Sequence, residues 1–228
     1  MIDEPWSPKL NIDTPAGFVL RQLVAALPKD REIGITLFGS APLQINVDAS
    51  LLSGDVGLFS REEKLQEWVE SAGLGDEASR PYIQVCSELN FRTSPRWQGR
   101  TQELTIENCT FIFPHPIDIL IAKLNRLDEK DVRAFEVVIA KTGHPTEAEM
   151  IYELQMAVDL FRPSFDEENS SELVNNCRRL WPLVFGREID PRKEIIAPAL
   201  EIRRKGYDAP RQDYKQLLRE MGPEYGVR

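Results

Sequence analysis

A chain of 228 residues, 42% of them hydrophobic and 29% charged, is long enough for one large domain or a medium domain with an appendage. No stretch reaches the roughly 20 apolar residues of a membrane-spanning helix, and the opening MIDEPWSPKLNID lacks the basic start and apolar centre of a signal peptide. A cytoplasmic protein with no membrane partner is therefore expected. Acidic residues outnumber basic ones 37 to 28, for a net charge of −9, which argues against duplex DNA as a partner, since backbone affinity needs clustered cations that release counterions.

In chain order, Pro15 to Leu27 places Phe18, Val19, Leu23, Ala26 and Leu27 on one side of a 3.6-residue period, with Thr14 as cap, and predicts an amphipathic helix. Ile33 to Phe38 predicts a buried strand stopped by Gly39-Ser40. A second short strand is expected at Val56 to Phe59, helical spacing from Arg61 to Ala72, and a third strand from Tyr82 to Leu89. FRTSPRWQGR, from Phe91 to Arg100, has no period and predicts a loop. Leu104 to Ile106 and Thr110 to Phe113 look like a hairpin around Glu107-Asn108, with asparagine supplying the left-handed position.

After Pro114 the pattern is helical. Stripes run through Ile117, Leu120, Ile121, Leu124 and Leu127, then through Val132, Phe135 and Ile139, and a Thr146/Glu149 capping box opens a third helix. An acidic break is expected from Phe165 to Ser171. Further helices are expected at Glu172 to Phe185, kinked or split at Pro182, at Pro191 to Lys205 with a second proline at Pro198, and at Arg211 to Met221. Strands first and helices after predict an α+β fold, with residues 1–145 as an α/β domain and 146–228 as a helical C-terminal region. Cys86, Cys109 and Cys177 lack metal-ligand spacing and are expected to be free thiols.

A Gly-Ser turn after a buried strand can aim backbone N–H groups and a hydroxyl at a phosphate, and residues two apart on a strand face the same side. Gly39-Ser40, SGDVGLF at Ser53 to Phe59, and PIDILIAKLNRLDEKDVRAFEVV at Pro116 to Val138 together resemble the nucleotidyltransferase-like superfamily. They are closest to its bacterial abortive-infection-toxin-like branch, whose members carry a Gly-Ser turn, an Asp-x-Asp strand and a later helix of the form DLLxxKLxRxxxKDxxD. The resemblance covers scattered blocks between residues 30 and 140.

It implies a mixed sheet flanked by helices, and transfer of a nucleoside monophosphate from a nucleoside triphosphate to an RNA or small-molecule acceptor. Magnesium is the implied cofactor, and an antitoxin protein an implied partner. Carried over residue by residue, Gly39 and Ser40 fill the phosphate turn, Asp55 is the first metal carboxylate, and Lys123 is a phosphate contact. Glu88 is the acidic residue that chain order leaves for the remaining catalytic and metal-binding carboxylate. Asp131 matches the Lys-Asp element, whereas Gly57 stands where the second strand carboxylate belongs and Ala134 replaces the later Asp.

Structural roles stand beside these. Lys123 borders an apolar stripe and could lay its methylenes on the core with its ammonium in water. Asp131 falls in a first helical turn, where it favours the dipole. His115 and His144 both precede proline in loops and are expected to be solvated. The arginines of FRTSPRWQGR, interleaved with Phe91 and Trp97, could grip an RNA end or a base, or simply be solvated. Three functions follow: a metal-dependent nucleotidyltransferase, a catalytically degenerate relative that binds a nucleotide or a protein, or a plain interaction module whose helical second half is the working surface.

Overall fold

The computed structural model describes residues 9–164 and 171–205. The helix expected at Arg211 to Met221 and most of the acidic break after Phe165 lie outside the described residues. The fold is α+β, built on a five-stranded mixed sheet flanked by helices. No helix among the described residues is long and apolar enough to cross a membrane.

Helix α1 (Pro15–Ala26) starts where expected. The Thr14 side chain accepts from the Gly17 N–H and Pro15 occupies the first turn, where its missing donor costs nothing. Strand β1 (Ile33–Phe38) leads through Gly39 into a six-residue helix, α2 (Ala41–Asn46), for which the sequence shows no period because all six residues are buried. Strand β2 (Asp55–Phe59) pairs antiparallel with β1, and after α3 (Leu65–Ser71) strand β3 (Tyr82–Val85) pairs parallel with β2. Strands β4 (Gln102–Ile106) and β5 (Cys109–Phe113) form the hairpin, with β5 parallel to β1, and the sheet order is β3-β2-β1-β5-β4. The left-handed residue of that hairpin is Glu107, at φ 54°, and not Asn108. The Asn108 amide is instead committed to the Pro28 and Arg31 carbonyls, each at 2.6 Å.

One face of the sheet is dry. Ile35, Leu37, Val56, Leu58, Phe111 and Phe113 pack there against Leu20, Leu23, Leu65 and Val69 of α1 and α3. The opposite face carries Gly34, Thr36, Phe38, Asp55, Gly57 and Phe59 by strand alternation, and it is the face that remains open to ligands.

The remaining helices are α4 (Pro116–Leu124), α5 (Glu129–Thr142), α6 (Glu147–Met156) and α7 (Glu172–Val184), followed by helical residues 191–205. Thr146 and Glu149 form the expected capping box at the start of α6. Pro182 does not split its helix; it sits in the last turn, where its missing N–H leaves the Arg178 carbonyl without the usual donor and the helix ends two residues later. Residues Arg192–Ile196 form a π turn ahead of Pro198. Pro198 cannot donate to the Glu194 carbonyl, and the Gln155 amide does so instead at 2.9 Å.

These helices share one apolar core that runs from Ile117 and Leu120 through Phe135, Val138 and Leu154 to Leu180 and Trp181. The expected boundary between residues 145 and 146 falls inside that core.

Candidate functional site

A cavity of about 420 Å³ opens on the free face of the sheet, where β1 ends and β2 begins. Gly39, Ser40, Asp55, Gly57 and Lys123 all line it. The turn that brings Ser40 there depends on Gly39, whose φ of +74° strains any residue with a Cβ.

Ser40 does not use its side chain to cap α2. Its hydroxyl oxygen accepts from the Lys123 ammonium at 2.8 Å, which leaves the hydroxyl proton free to donate to a ligand. The Lys123 side chain is only 6% exposed, and its ammonium also donates to Asp131 at 2.7 Å. Lys123 is therefore neither a snorkelling lysine nor a free phosphate contact. It holds Ser40 and is itself held.

Asp131 combines the two roles open for it in the sequence. Its carboxylate accepts from the Asp128 N–H in a capping box and from Lys123 and Arg126. Burial alone would raise the Asp131 carboxyl, but Lys123 and then Arg126 outweigh it and hold it below the ordinary 3.8. Burial likewise pulls the Lys123 ammonium down, against the opposing pull of Asp131.

Toward solvent the cavity is walled by Arg92, Arg126 and Lys130. Arg126 is paired with Asp128 and Asp131, whereas the Arg92 and Lys130 side chains make no ion pair with any described residue. Asp55 is the one carboxylate in the lining. With Lys123 and Arg126 offset by Asp131 and Asp128, Arg92 and Lys130 are left against Asp55, a local cationic excess in a chain whose net charge is −9 that favours anionic ligands. Cys86 lies beside Asp55; burial first, and then that carboxylate, push its thiol up. Cys109 is pushed up to about 12 and Cys177 higher still, both by burial, so the three cysteines are free, as expected, and protonated.

Glu88 is not brought to this cavity. The third strand stops at Val85, and Glu88 is exposed on a 3₁₀ turn (Glu88–Asn90), where it accepts from the Gln98 amide at 3.4 Å. It lines a different cavity with Trp97 and Phe59. Between the two cavities stands a cluster in which Phe38 stacks on Phe91 at 4.6 Å and Trp97 meets Phe91 edge-on at 5.4 Å. At Gly57 an added Cβ would meet the Phe38 carbonyl at 3.4 Å, so the strand has room for a side chain that the sequence does not supply.

The donor set does not fit a metal pair held by the protein. Magnesium is normally gripped by one or two carboxylates together with substrate oxygens, and Asp55 has no second carboxylate beside it in the lining. Among the described residues no three His, Cys, Asp or Glu side chains cluster around a metal position.

The loop from Phe91 to Arg100, open in the sequence to gripping RNA or to plain solvation, is tied down by one of its own arginines. Arg100 donates to Asp118 through two bonds of 2.7 Å and pairs with Glu153 at 2.7 Å, and both carboxylates are almost wholly buried. Two buried acids on separate helices need a counter-charge, and Arg100 supplies it, so it is neither solvated nor ligand-facing. Arg96 reaches Tyr152, and Asn125 holds the Arg92 carbonyl, which leaves the Arg92 side chain facing the cavity. The histidines are not solvated either. His115 is buried and its Nδ1 accepts from the Ile117 N–H to cap α4, while His144 lies 2.9 Å from Glu149.

Of the cavity residues, Arg126 and Lys130 were visible in the sequence as part of the Lys123 to Asp131 block, and Arg92 as part of a basic loop. Phe91 was visible as an aromatic interleaved in that loop, whereas nothing local marks Phe38 as a cavity wall. No family model, curated protein or solved structure matches the chain.

Proposed function

We propose that the protein binds a nucleoside triphosphate in the cavity between Ser40 and Arg92, as a member of a nucleotidyltransferase-like group that has lost transfer chemistry. The observation that carries this reading is the cationic excess beside a primed serine hydroxyl: Lys123 and Arg126 are held by Asp131 and Asp128, while Arg92 and Lys130 face the cavity without an ion pair to any described residue, with Asp55 as the opposing charge in the lining. Phosphate oxygens suit such donors, and charge-assisted hydrogen bonds to them are about twice as strong as neutral ones. Phe38 and Phe91 add an aromatic surface for a base, and about 420 Å³ falls within the usual range for small-molecule sites.

Loss of transfer follows from the carboxylates. Magnesium-dependent phosphoryl chemistry neutralises developing charge with metal ions, and Gly57 removes one ligand while Glu88 sits in another cavity. A second reading, in which Asp55 and the substrate phosphates hold one ion and transfer survives, is favoured only by Asp55 sharing the cavity with Ser40.

Calorimetric titration with ATP, GTP, CTP and UTP tests binding. At least one is expected to bind, with the Arg92→Ala/Lys130→Ala double variant at least tenfold weaker and its melting temperature unchanged. Failure of all four nucleotides overturns the proposal. Transfer of label from α-labelled nucleotides to bulk RNA, lost in Asp55→Ala, would instead establish the second reading.

A further inference from the structure

The second cavity, about 400 Å³, lies on the same open face of the sheet, on the far side of the Phe38, Phe91 and Trp97 cluster. Its floor is β1 itself. Gly34 lies inside a central strand, flanked by β2 and β5, where glycine weakens the strand and commonly marks a close approach by another group. The Ser60 hydroxyl donates to the Gly34 carbonyl at 2.7 Å, but the space over the Cα is open: a Cβ at Gly34 would have nothing within 4 Å. Two residues on, Thr36 is only 7% exposed, and its hydroxyl, facing this cavity, has no hydrogen-bond partner among the described residues. The floor thus offers a ligand open space over Gly34 and one hydroxyl that no described residue engages.

The walls indicate the ligand's chemistry. Phe59 and Trp97 supply aromatic surface, and the rim carries Glu62, Glu88 and Glu103 against a single cation, Arg61. Glu62 is already paired with Arg31 at 3.4 Å and Glu88 accepts from the Gln98 amide at 3.4 Å, which makes Glu103 the rim carboxylate with no partner among the described residues and leaves Glu88 its second oxygen. The polarity is opposite to that of the neighbouring cavity, where cations outnumber carboxylates four to one.

We propose that this cavity is a second binding site, selective for a small organic cation with a flat, apolar body. Its ammonium or guanidinium group meets Glu103 and Glu88, its body lies over the Gly34 floor against Trp97, and a polar atom pairs with Thr36. A cation held over tryptophan gains further attraction from the ring quadrupole. The site does not depend on nucleotide binding in the other cavity.

Titration with benzamidine, followed by amide chemical shifts, tests the site against benzoate, which has the same ring and the opposite charge. Saturable shifts centred on Thr36, Trp97 and Glu103 are expected with benzamidine, and none with benzoate. Gly34→Val fills the floor with a strand-favouring side chain and should abolish the response without lowering the melting temperature. Glu103→Gln, an exposed change that keeps the fold, should weaken binding at least fivefold. The proposal is overturned if benzamidine gives no saturable shift, if benzoate matches it, or if neither variant changes the response.

Discussion

Gly57 is the residue at which family resemblance and chemistry part. It shares its strand face with Asp55, pairs with Phe38 and Gln84, and has space above its Cα limited only by the Phe38 carbonyl at 3.4 Å. Gly57→Asp therefore places a second carboxylate beside Asp55 in extended backbone that any residue adopts. In the absence of metal the paired charges should make the variant slightly less stable than the parent. If it then binds magnesium with a dissociation constant near 1 mM, 10 mM Mg²⁺ stabilises it by about 1.4 kcal/mol, or roughly 3–6 °C in melting temperature for a chain of this size. The expected result is a magnesium-dependent rise of that order in Gly57→Asp and none in the parent, read by differential scanning fluorimetry with calcium as a second ion. An equal shift in both proteins would show that the parent already holds the ion through Asp55.

At the scale of elements, the segment between β3 and β4 separates what sequence patterns reveal from what they hide. Periodicity located α1, α5 and α6 because each presents one apolar face, caps such as Thr14 and Thr146 are local, and α4 is long enough to show a stripe although eight of its nine residues are buried. Periodicity could not reveal α2, buried on every side, nor that Arg100 would be drawn to Asp118 and Glu153, which lie 18 and 53 positions further along the chain. Ion pairing over such distances is a property of the folded chain alone. Arg100 thereby fixes the loop that carries Phe91 and Arg92 to the cavity lined by Ser40. Arg100→Ala strands two buried carboxylates, a loss of about 3–5 kcal/mol. The pH dependence has a definite sign. Burial first, only partly offset by Arg100, raises the Asp118 carboxyl above 3.8, so the unfolded chain releases that proton at lower pH than the fold does. Ionisation of Asp118 thus erodes stability as pH rises through about 4, and more steeply once Arg100 is gone. Urea melts at pH 7 and pH 4 should show a deficit in Arg100→Ala that shrinks on acidification. A deficit independent of pH would mean that the arginine contributes packing alone.

Across the whole molecule, two apolar cores meet at α2. Ala41 and Ile45 belong to the core beneath the sheet, while Leu43 belongs to the helical core, so a helix of six residues is shared by both. Ser40, immediately before it, is gripped by Lys123 of α4, which makes the cavity they line the polar side of the same junction. Separating residues 1–145 from the rest would leave α4 and α5 without Leu154, Val174, Leu180 and Trp181, exposing Phe135 and Val138, both wholly buried in the full chain. Leu or Trp side chains removed from such a core cost about 2–5 kcal/mol each, and a domain is stable by only about 5–15 kcal/mol in total. The full chain should therefore unfold in one transition, with circular dichroism and tryptophan fluorescence giving the same urea midpoint. The 1–145 fragment should bind the dye ANS, lose near-ultraviolet dichroism and fail to bind nucleotide, since Lys123 and Ser40 are aligned only when α4 is seated. A fragment that melts cooperatively and binds nucleotide with the affinity of the full chain would show instead that the sheet and its first two following helices hold the cavity unaided.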